Sequence, residues 1–233
     1  MPQAPALIGN LVASALGRPA RVLDLREPAP GFLELELHAA PPPGGWQPGH
    51  EIQFRVTPTQ GRRYTARTVN GQDPEHICIL AATAAGPGTA WIRGLHAGDR
   101  LTVLAGRHRP PRQSGTRRLY LGGSCALGTL DAYARSGETP TVAVEVPASA
   151  VETLAGHWPR YHFLPAARTP GDALQSWLER GIGNGKLEDR DGALPLGHAQ
   201  SIQRQRRALI DSRTLERRTI TTRPYWADGK EGL

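Results

Sequence analysis

Gly61-Arg62-Arg63-Tyr64-Thr65-Ala66-Arg67 is the stretch on which the fold of this chain turns. It combines a strand-forming centre with basic, aromatic and hydroxylic side chains. An Arg can form a two-pronged, charge-assisted bond to a pyrophosphate, a Tyr ring can lie on a flat heterocycle, and a Thr hydroxyl can reach a ring nitrogen. Together these meet the chemical needs of a bound flavin nucleotide. The plainer alternative is an edge strand with solvated arginines.

Outward from this stretch the pattern has period two. Leu33, Leu35 and Leu37 alternate with Glu34, Glu36 and His38; Ile52, Phe54 and Val56 alternate with Glu51, Gln53 and Arg55. Further strands read at 64–69, 76–82 and 100–104, and a first one starts near Arg21. Short strands separated by turn signals predict a small antiparallel barrel of six strands. Within it, Gly86-Pro87-Gly88-Thr89-Ala90-Trp91 leads into a short helix that ends near Gly94, with Thr89 as its expected N-cap. Upstream, Leu7, Ile8, Leu11, Val12, Ala15 and Leu16 form the apolar stripe of an N-terminal helix over 1–17.

Composition changes at GRHRPPRQSG, where paired prolines, glycines and charge mark a linker over 108–116 between a barrel domain at 18–107 and a second domain at 117–233. Beyond it strands alternate with helices. Strands are expected at 119–121, 141–146, 161–164, 193–196 and 219–222, with helices through 127–134, 171–180 and from Gly197 through Arg207. Such a βαβ succession predicts a parallel sheet.

The chain has 233 residues with 28 Lys plus Arg against 21 Asp plus Glu, and a formal net charge of +7. Lys186 and Lys230 are its only lysines. An Arg-dominated balance suits recognition of a planar anion, although genomic base composition produces the same skew. Interleaved aromatics or a recognition-helix pattern, which a nucleic-acid binder would need, are missing. Cys78 and Cys125 stand apart without a CxxC, which suggests neither disulfide framework nor zinc site and points to a reducing compartment. The apolar run 4–16 lacks a basic leader and is too short to cross a bilayer. A cytoplasmic protein is expected, with no membrane and no nucleic acid among its partners.

A small antiparallel barrel followed by a parallel α/β domain resembles the ferredoxin-reductase-like flavoproteins, and most of all the siderophore-interacting proteins, which are FAD-dependent ferric-siderophore reductases. Arg62 to Arg67 resembles their RxYTxR strand, Gly86 to Trp91 their GPASxWA segment, and Ala97-Gly98-Asp99-Arg100 the PGD turn. Gly197-His198-Ala199 with Arg206 and Arg207 is similar to their GEA helix with its RR pair, and Tyr225 to Lys230 to their YWRxG tail. The resemblance implies an oxidoreductase in which Arg62 holds the FAD pyrophosphate, Tyr64 packs on the isoalloxazine, and Thr65 bonds near its reactive edge. Arg67 would add a second anionic contact, Gly86, Gly88 and Thr89 would close over the pyrophosphate, and Ala66, Trp91 and Trp226 would complete the cofactor side. Micromolar retention requires about 8 kcal/mol, whereas a stacked ring contributes roughly 1 and an Arg–phosphate bond roughly 1.5 to 3. Both segments are therefore needed. Alternation sets Thr65 on the opposite face from Arg62 and Tyr64, so the strand must end or bend there.

The same resemblance implies an anionic ferric siderophore as substrate, docked on a basic rim of Arg206, Arg223 and Lys230, with NAD(P)H or ferredoxin as electron donor. Gly122, Ser124, Cys125 and His198 would form the nicotinamide side. There the chain departs from the family: Gly122 to Gly128 lacks the acids, Thr and Pro of the usual GDETALP turn, His198 replaces Glu, and no ribose-reading acid follows the glycines. Cys125 is either a reactive thiol favoured at a helix start or a small packed side chain. Trp226 is either a packing anchor or a neighbour of the flavin. No nucleophile, acid–base or metal constellation is apparent. Two readings stand beside ferric-siderophore reduction: a general flavin-dependent reductase with another acceptor, and a non-catalytic binder of flavin or ferric chelate.

Overall fold

In the computed structural model, residues 17–108, 117–135 and 140–229 are described. The N-terminal helix expected over 1–17, almost all of the linker and Lys230 lie outside them. The chain divides into two compact units, 1–110 with 131–133, and 111–130 with 134–233.

The first unit holds β1 (Arg18–Ala29), β2 (Phe32–Ala39), β3 (His50–Arg55), β4 (Gly61–Val69), β5 (His76–Ala82), α1 (Pro87–Arg93) and β6 (Arg100–His108). The strands close into a barrel in the order β1-β2-β5-β4-β3-β6, and all pairings are antiparallel. Period-two patterning produces this closure. Leu35, Leu37, Ile52, Phe54, Ile77, Ile79 and Val103 turn inward to one core, while Glu34, Glu36, Glu51 and Gln53 alternate with them. β4 runs between β5 and β3, so the edge-strand alternative is excluded.

Helix α1 begins differently from expectation. Gly86, at φ 138°, is its N-cap and Pro87 occupies the first turn, where its missing N–H costs nothing. The Thr89 hydroxyl instead donates to the Ala84 carbonyl and ties down the loop before the helix.

The second unit contains a five-stranded sheet, β11-β10-β7-β8-β9, in which every pairing is parallel. Its elements in chain order are β7 (Arg118–Gly123), α2 (Leu127–Ala134, of which 131–133 group with the first unit), β8 (Thr141–Val146), α3 (Val151–His157), β9 (His162–Pro165), α4 (Asp172–Gly183), β10 (Gly192–His198), α5 (Ala199–Asp211) and β11 (Arg223–Trp226). The central strands β7, β8 and β10 are buried almost throughout, as expected of parallel strands with both faces covered. Two differences from the sequence reading stand out. The last strand is Arg223–Trp226; the β-branched run 219–222 contributes only a single bridge, Ala193 to Ile220. Helix α3, which buries only Leu154 of its seven residues, has too narrow an apolar face to register in the pattern.

Candidate functional site

On β4, Arg62 and Tyr64 lie opposite Phe54 and Ile52 of β3. Directly opposed residues share a face, so both side chains leave the strand on the side of the barrel interior. Tyr64 is half-buried, its ring edge-on to Phe54 at 5.7 Å between centroids, and burial pushes its phenol above the ordinary value while Arg62 pulls it down. Phe54 in turn packs on Trp91 of α1 at 4.9 Å. Helix α1 arrives closely over this pair: a Cβ on Gly88 would meet the Tyr64 hydroxyl at 3.1 Å and Arg62 Cγ at 3.2 Å. Two segments that the sequence separates are therefore brought into one cradle.

The three arginines of the stretch have different fates. Arg63 is exposed and pairs with Glu51 at 3.1 Å. Arg67 is buried and ion-paired with Glu34, with the Cys78 sulfur 3.4 Å from its Nη2, so its charge is engaged within the protein rather than offered as the second anionic contact expected. Arg62 is half-buried; it donates to the Gly61 carbonyl at 2.9 Å and has no acidic partner among the described residues. A partly desolvated guanidinium without a carboxylate is suited to a phosphate or pyrophosphate.

Ala66 corrects another expectation, since its methyl group lies in the barrel core and its carbonyl accepts the Gly49 N–H. Thr65 stands on the Arg63 side of the strand opposite Glu51. The bend needed to bring it round does not come at Thr65. The register shift lies between Ala66 and Thr68, and the strand continues to Val69.

A cavity of about 250 Å³ on the side of β2 and β5 that faces away from the core is lined by Arg26, Glu34, Glu36, Arg67, His76 and Cys78, among others. Its charges are matched internally: Arg26 with Glu34 and Glu36, Arg67 with Glu34, and His76 with Glu36 at 3.0 Å. Such a closed network stiffens the barrel wall and contrasts with the open charge of Arg62.

In the second unit the strand order reverses between β7 and β10, and the carboxyl ends of these strands, Gly123 and His198, border the crevice where ligands of open α/β sheets bind. Gly122 permits close helix-to-strand packing there, because a Cβ would stand 2.6 Å from the Ala126 methyl. Ser124 Oγ donates to the Glu145 carbonyl at 3.2 Å.

Glu145 itself was missed by the sequence reading. It ends the second strand about twenty residues after the glycines, the position from which an acid reads a ribose. Its carboxylate, however, is buried and accepts three backbone N–H groups at the start of α4, from Gly171 at 2.9 Å, Ala173 at 3.1 Å and Leu174 at 3.2 Å. An acid held in this way is not presented to a nucleotide. Glu145 is therefore not the acid that would read the free ribose 2′-hydroxyl of NADH.

His198 and Trp226, expected on different ligands, are stacked on each other with ring centroids 4.2 Å apart and planes at 26°. His198 is buried, 6% exposed, and its Nδ1 lies 2.7 Å from Ser201 Oγ. Cys125 is not the packed side chain of one alternative but an exposed residue at the turn after β7. Desolvation pushes its thiol up to about 11. The exposed surface of the residue argues for a smaller rise than that of a fully desolvated sulfur, but in the same direction, so the thiolate expected at a helix start is not favoured.

Of the expected basic rim, Arg206 is half-buried on α5 and Arg223 is half-buried at the start of β11. Arg204 of α5 pairs with Asp172 at 2.7 Å. No helix among the described residues is long and apolar enough to cross a membrane, and no group of three or more His, Cys, Asp or Glu residues among them could hold a metal ion.

No protein-family model matches the sequence, and no curated protein matches it. Solved structures do. A siderophore-interacting protein from Acinetobacter baumannii is similar at a TM-score of 0.73 with 16% identity, covering 92% of each chain. The siderophore-interacting protein SipS from Aeromonas hydrophila is similar at 0.70 with 19% identity, covering 93% of this chain and 94% of that one. A ferredoxin reductase in carbazole 1,9a-dioxygenase is similar at 0.68 with 17% identity over 90% of this chain and 67% of that one. At these identities the likeness establishes the fold: a six-stranded antiparallel barrel followed by a five-stranded parallel sheet with helices, the ferredoxin-reductase-like arrangement.

Proposed function

We propose that this chain is a flavin-dependent oxidoreductase that binds FAD on the β4–α1 cradle of its barrel and reduces ferric siderophores, releasing Fe(II) in the cytoplasm. The observation that carries the reading is the close approach of Gly88 to Arg62 and Tyr64, which joins an acid-free, half-buried guanidinium and an aromatic ring in one place. These residues fit the group. Arg62 would hold the pyrophosphate, Tyr64 would pack on the ring system, and the glycine at 88 keeps the approach open for the phosphates. When bound, the flavin supplies the electron-transfer chemistry; the chain's own residues bind, orient and shield it, so no nucleophile or acid–base pair is required.

The likeness in fold to siderophore-interacting proteins supports a ferric chelate as acceptor, and Arg206 and Arg223 with Lys230 would supply an anion-attracting rim. The engagement of Glu145 with α4 argues against NADH and leaves NADPH or a ferredoxin-type protein as donor. Purified chain should take up FAD and turn yellow, and with NADPH or reduced ferredoxin it should convert a ferric siderophore to Fe(II), read with a ferrous-specific chelator. Failure to retain FAD would overturn the reading. Retention of FAD with turnover of quinones but not of ferric siderophores would leave the general flavin reductase in its place. Retention with no turnover by any donor would leave the non-catalytic binder.

A further inference from the structure

Glu145 does not read a ribose itself, yet what it holds stands at the same end of the sheet. Strands β7, β8 and β9 are parallel, so their carboxyl ends share one edge. A dinucleotide that enters at the switch point between β7 and β10 lays its adenosine ribose at the end of the strand after the glycines, here β8. The loop that leaves β9, residues 166–171, is tied to the last two residues of β8. The Ala166 N–H donates to the Val146 carbonyl at 2.7 Å, and the Gly171 N–H to the Glu145 carboxylate at 2.9 Å. Between these ties the Pro170 carbonyl accepts from Ser201 Oγ at 2.6 Å and from Arg204 at 2.9 Å, both on α5.

The one charged residue of this loop is Arg168. It is exposed, and it has neither an ion pair nor a hydrogen bond among the described residues. Arg204, the other cation at the loop, is by contrast matched by Asp172 at 2.7 Å. At this end of a dinucleotide-binding sheet an acid favours the free 2′-hydroxyl of NADH, whereas an arginine favours the 2′-phosphate of NADPH. Here the acid is engaged by three backbone N–H groups and the arginine is left open. We propose that Arg168 is a specificity-determining residue that binds the adenosine 2′-phosphate of NADPH, and that Glu145 is the positioning residue that fixes its loop.

The chemistry of both residues suits these roles. A guanidinium presents a fork of N–H donors that matches a phosphate and gains nothing comparable from a ribose hydroxyl. A loop already tied at Ala166, Pro170 and Gly171 loses little further freedom when Arg168 takes up its ligand. The Glu145 charge does not stand open against the phosphate, because it is turned to the N–H groups at the positive end of α4. The inference rests on the flavin-reductase reading for the purpose of the nucleotide, but its residues all belong to the second unit and none to the FAD cradle.

The test is calorimetric titration of the intact protein with two probes that differ only in the 2′-phosphate, adenosine 2′,5′-bisphosphate and 5′-AMP. Neither probe needs flavin or electron transfer. The bisphosphate should bind roughly ten- to a hundredfold more tightly. Arg168→Ala should bring it to the level of 5′-AMP while leaving 5′-AMP affinity and the denaturant midpoint unchanged, and Arg168→Lys should keep part of the preference. Glu145→Gln, which retains an acceptor oxygen for the loop but not its charge, should narrow the preference as well. Equal affinity for the two probes, binding of neither, or a preference that survives Arg168→Ala would each overturn the proposal. Any of these in a chain that retains FAD would leave the flavin reading standing with a ferredoxin-type donor. A preference that holds in a chain unable to retain FAD would overturn the flavin reading alone.

Discussion

Gly88 and Tyr64 are 24 residues apart in the chain, yet a single carbon added to Gly88 would touch the Tyr64 hydroxyl at 3.1 Å. The same carbon would reach Arg62 Cγ at 3.2 Å. Gly88→Ala should therefore force a shift of a few tenths of an ångström in both side chains, and Gly88→Val a larger one. The alanine variant should lose about tenfold in FAD affinity, and the valine variant should also lose about 1 to 3 kcal/mol of stability from overpacking. Flavin titration and urea unfolding measure the two effects separately.

Arg62→Ala removes a guanidinium that no carboxylate of the described chain holds. Its expected cost is about 1.5 to 3 kcal/mol of binding, or roughly ten- to a hundredfold in FAD affinity, with little change in stability. Equal FAD affinity in Arg62→Ala and the unaltered protein would remove this residue from the site.

Arg67→Ala should behave in the opposite manner. It leaves the buried Glu34 carboxylate with Arg26 alone and takes a cation away from buried Asp131, and breaking a buried pair from one side costs about 3 kcal/mol or more. Denaturant midpoints should fall well below those of Arg62→Ala. A stability loss no larger than that of Arg62→Ala would contradict the burial of the pair.

Glu145→Ala takes the acceptor away from three N–H groups at the start of α4. Loss of a helix cap of this kind should cost about 2 kcal/mol. NADH binding, by contrast, should be equally weak before and after the change, as followed by nucleotide fluorescence. Tight NADH binding that vanishes in Glu145→Ala would mean that the carboxylate reads a ribose after all.

With its thiol pushed upward, Cys125 should alkylate slowly at neutral pH despite being exposed. Because only the thiolate reacts, the rate should climb about tenfold per pH unit between roughly pH 7 and 9 and show no plateau there. Peptide mass spectrometry distinguishes it from the buried Cys78. A plateau below pH 8 would indicate an activated thiolate.

Much of this architecture is legible as periodicity. Leu33-Glu34-Leu35-Glu36-Leu37 can bury one face only as a strand, and the continuous apolar Val142-Ala143-Val144 suits a strand covered on both sides. What failed was local preference without a tertiary partner. The β-branched residues 219–222 look like a strand, but β10 pairs instead with Arg223–Trp226, whose placement follows the end of its neighbour. Thr89 has the chemistry of an N-cap, yet Pro87 was the stronger signal for where α1 begins. Glu145 lay outside the glycine motif in sequence, and its role depends on where α4 starts in space.

By itself, the sequence of Arg62 to Arg67 determined a strand, and its neighbours determined the barrel, because side-chain alternation and turn residues act over a few positions. It could not tell Arg62 from Arg67, which are the same residue type five positions apart. Only the closed barrel does so, by setting Glu34 of β2 beside Arg67 and none of the described acids beside Arg62. The physical reason is that the state of a charge depends on the burial and the partners around it. Those partners come from strands and helices distant in the chain, as Glu34 does for Arg67 and Gly88 for Tyr64.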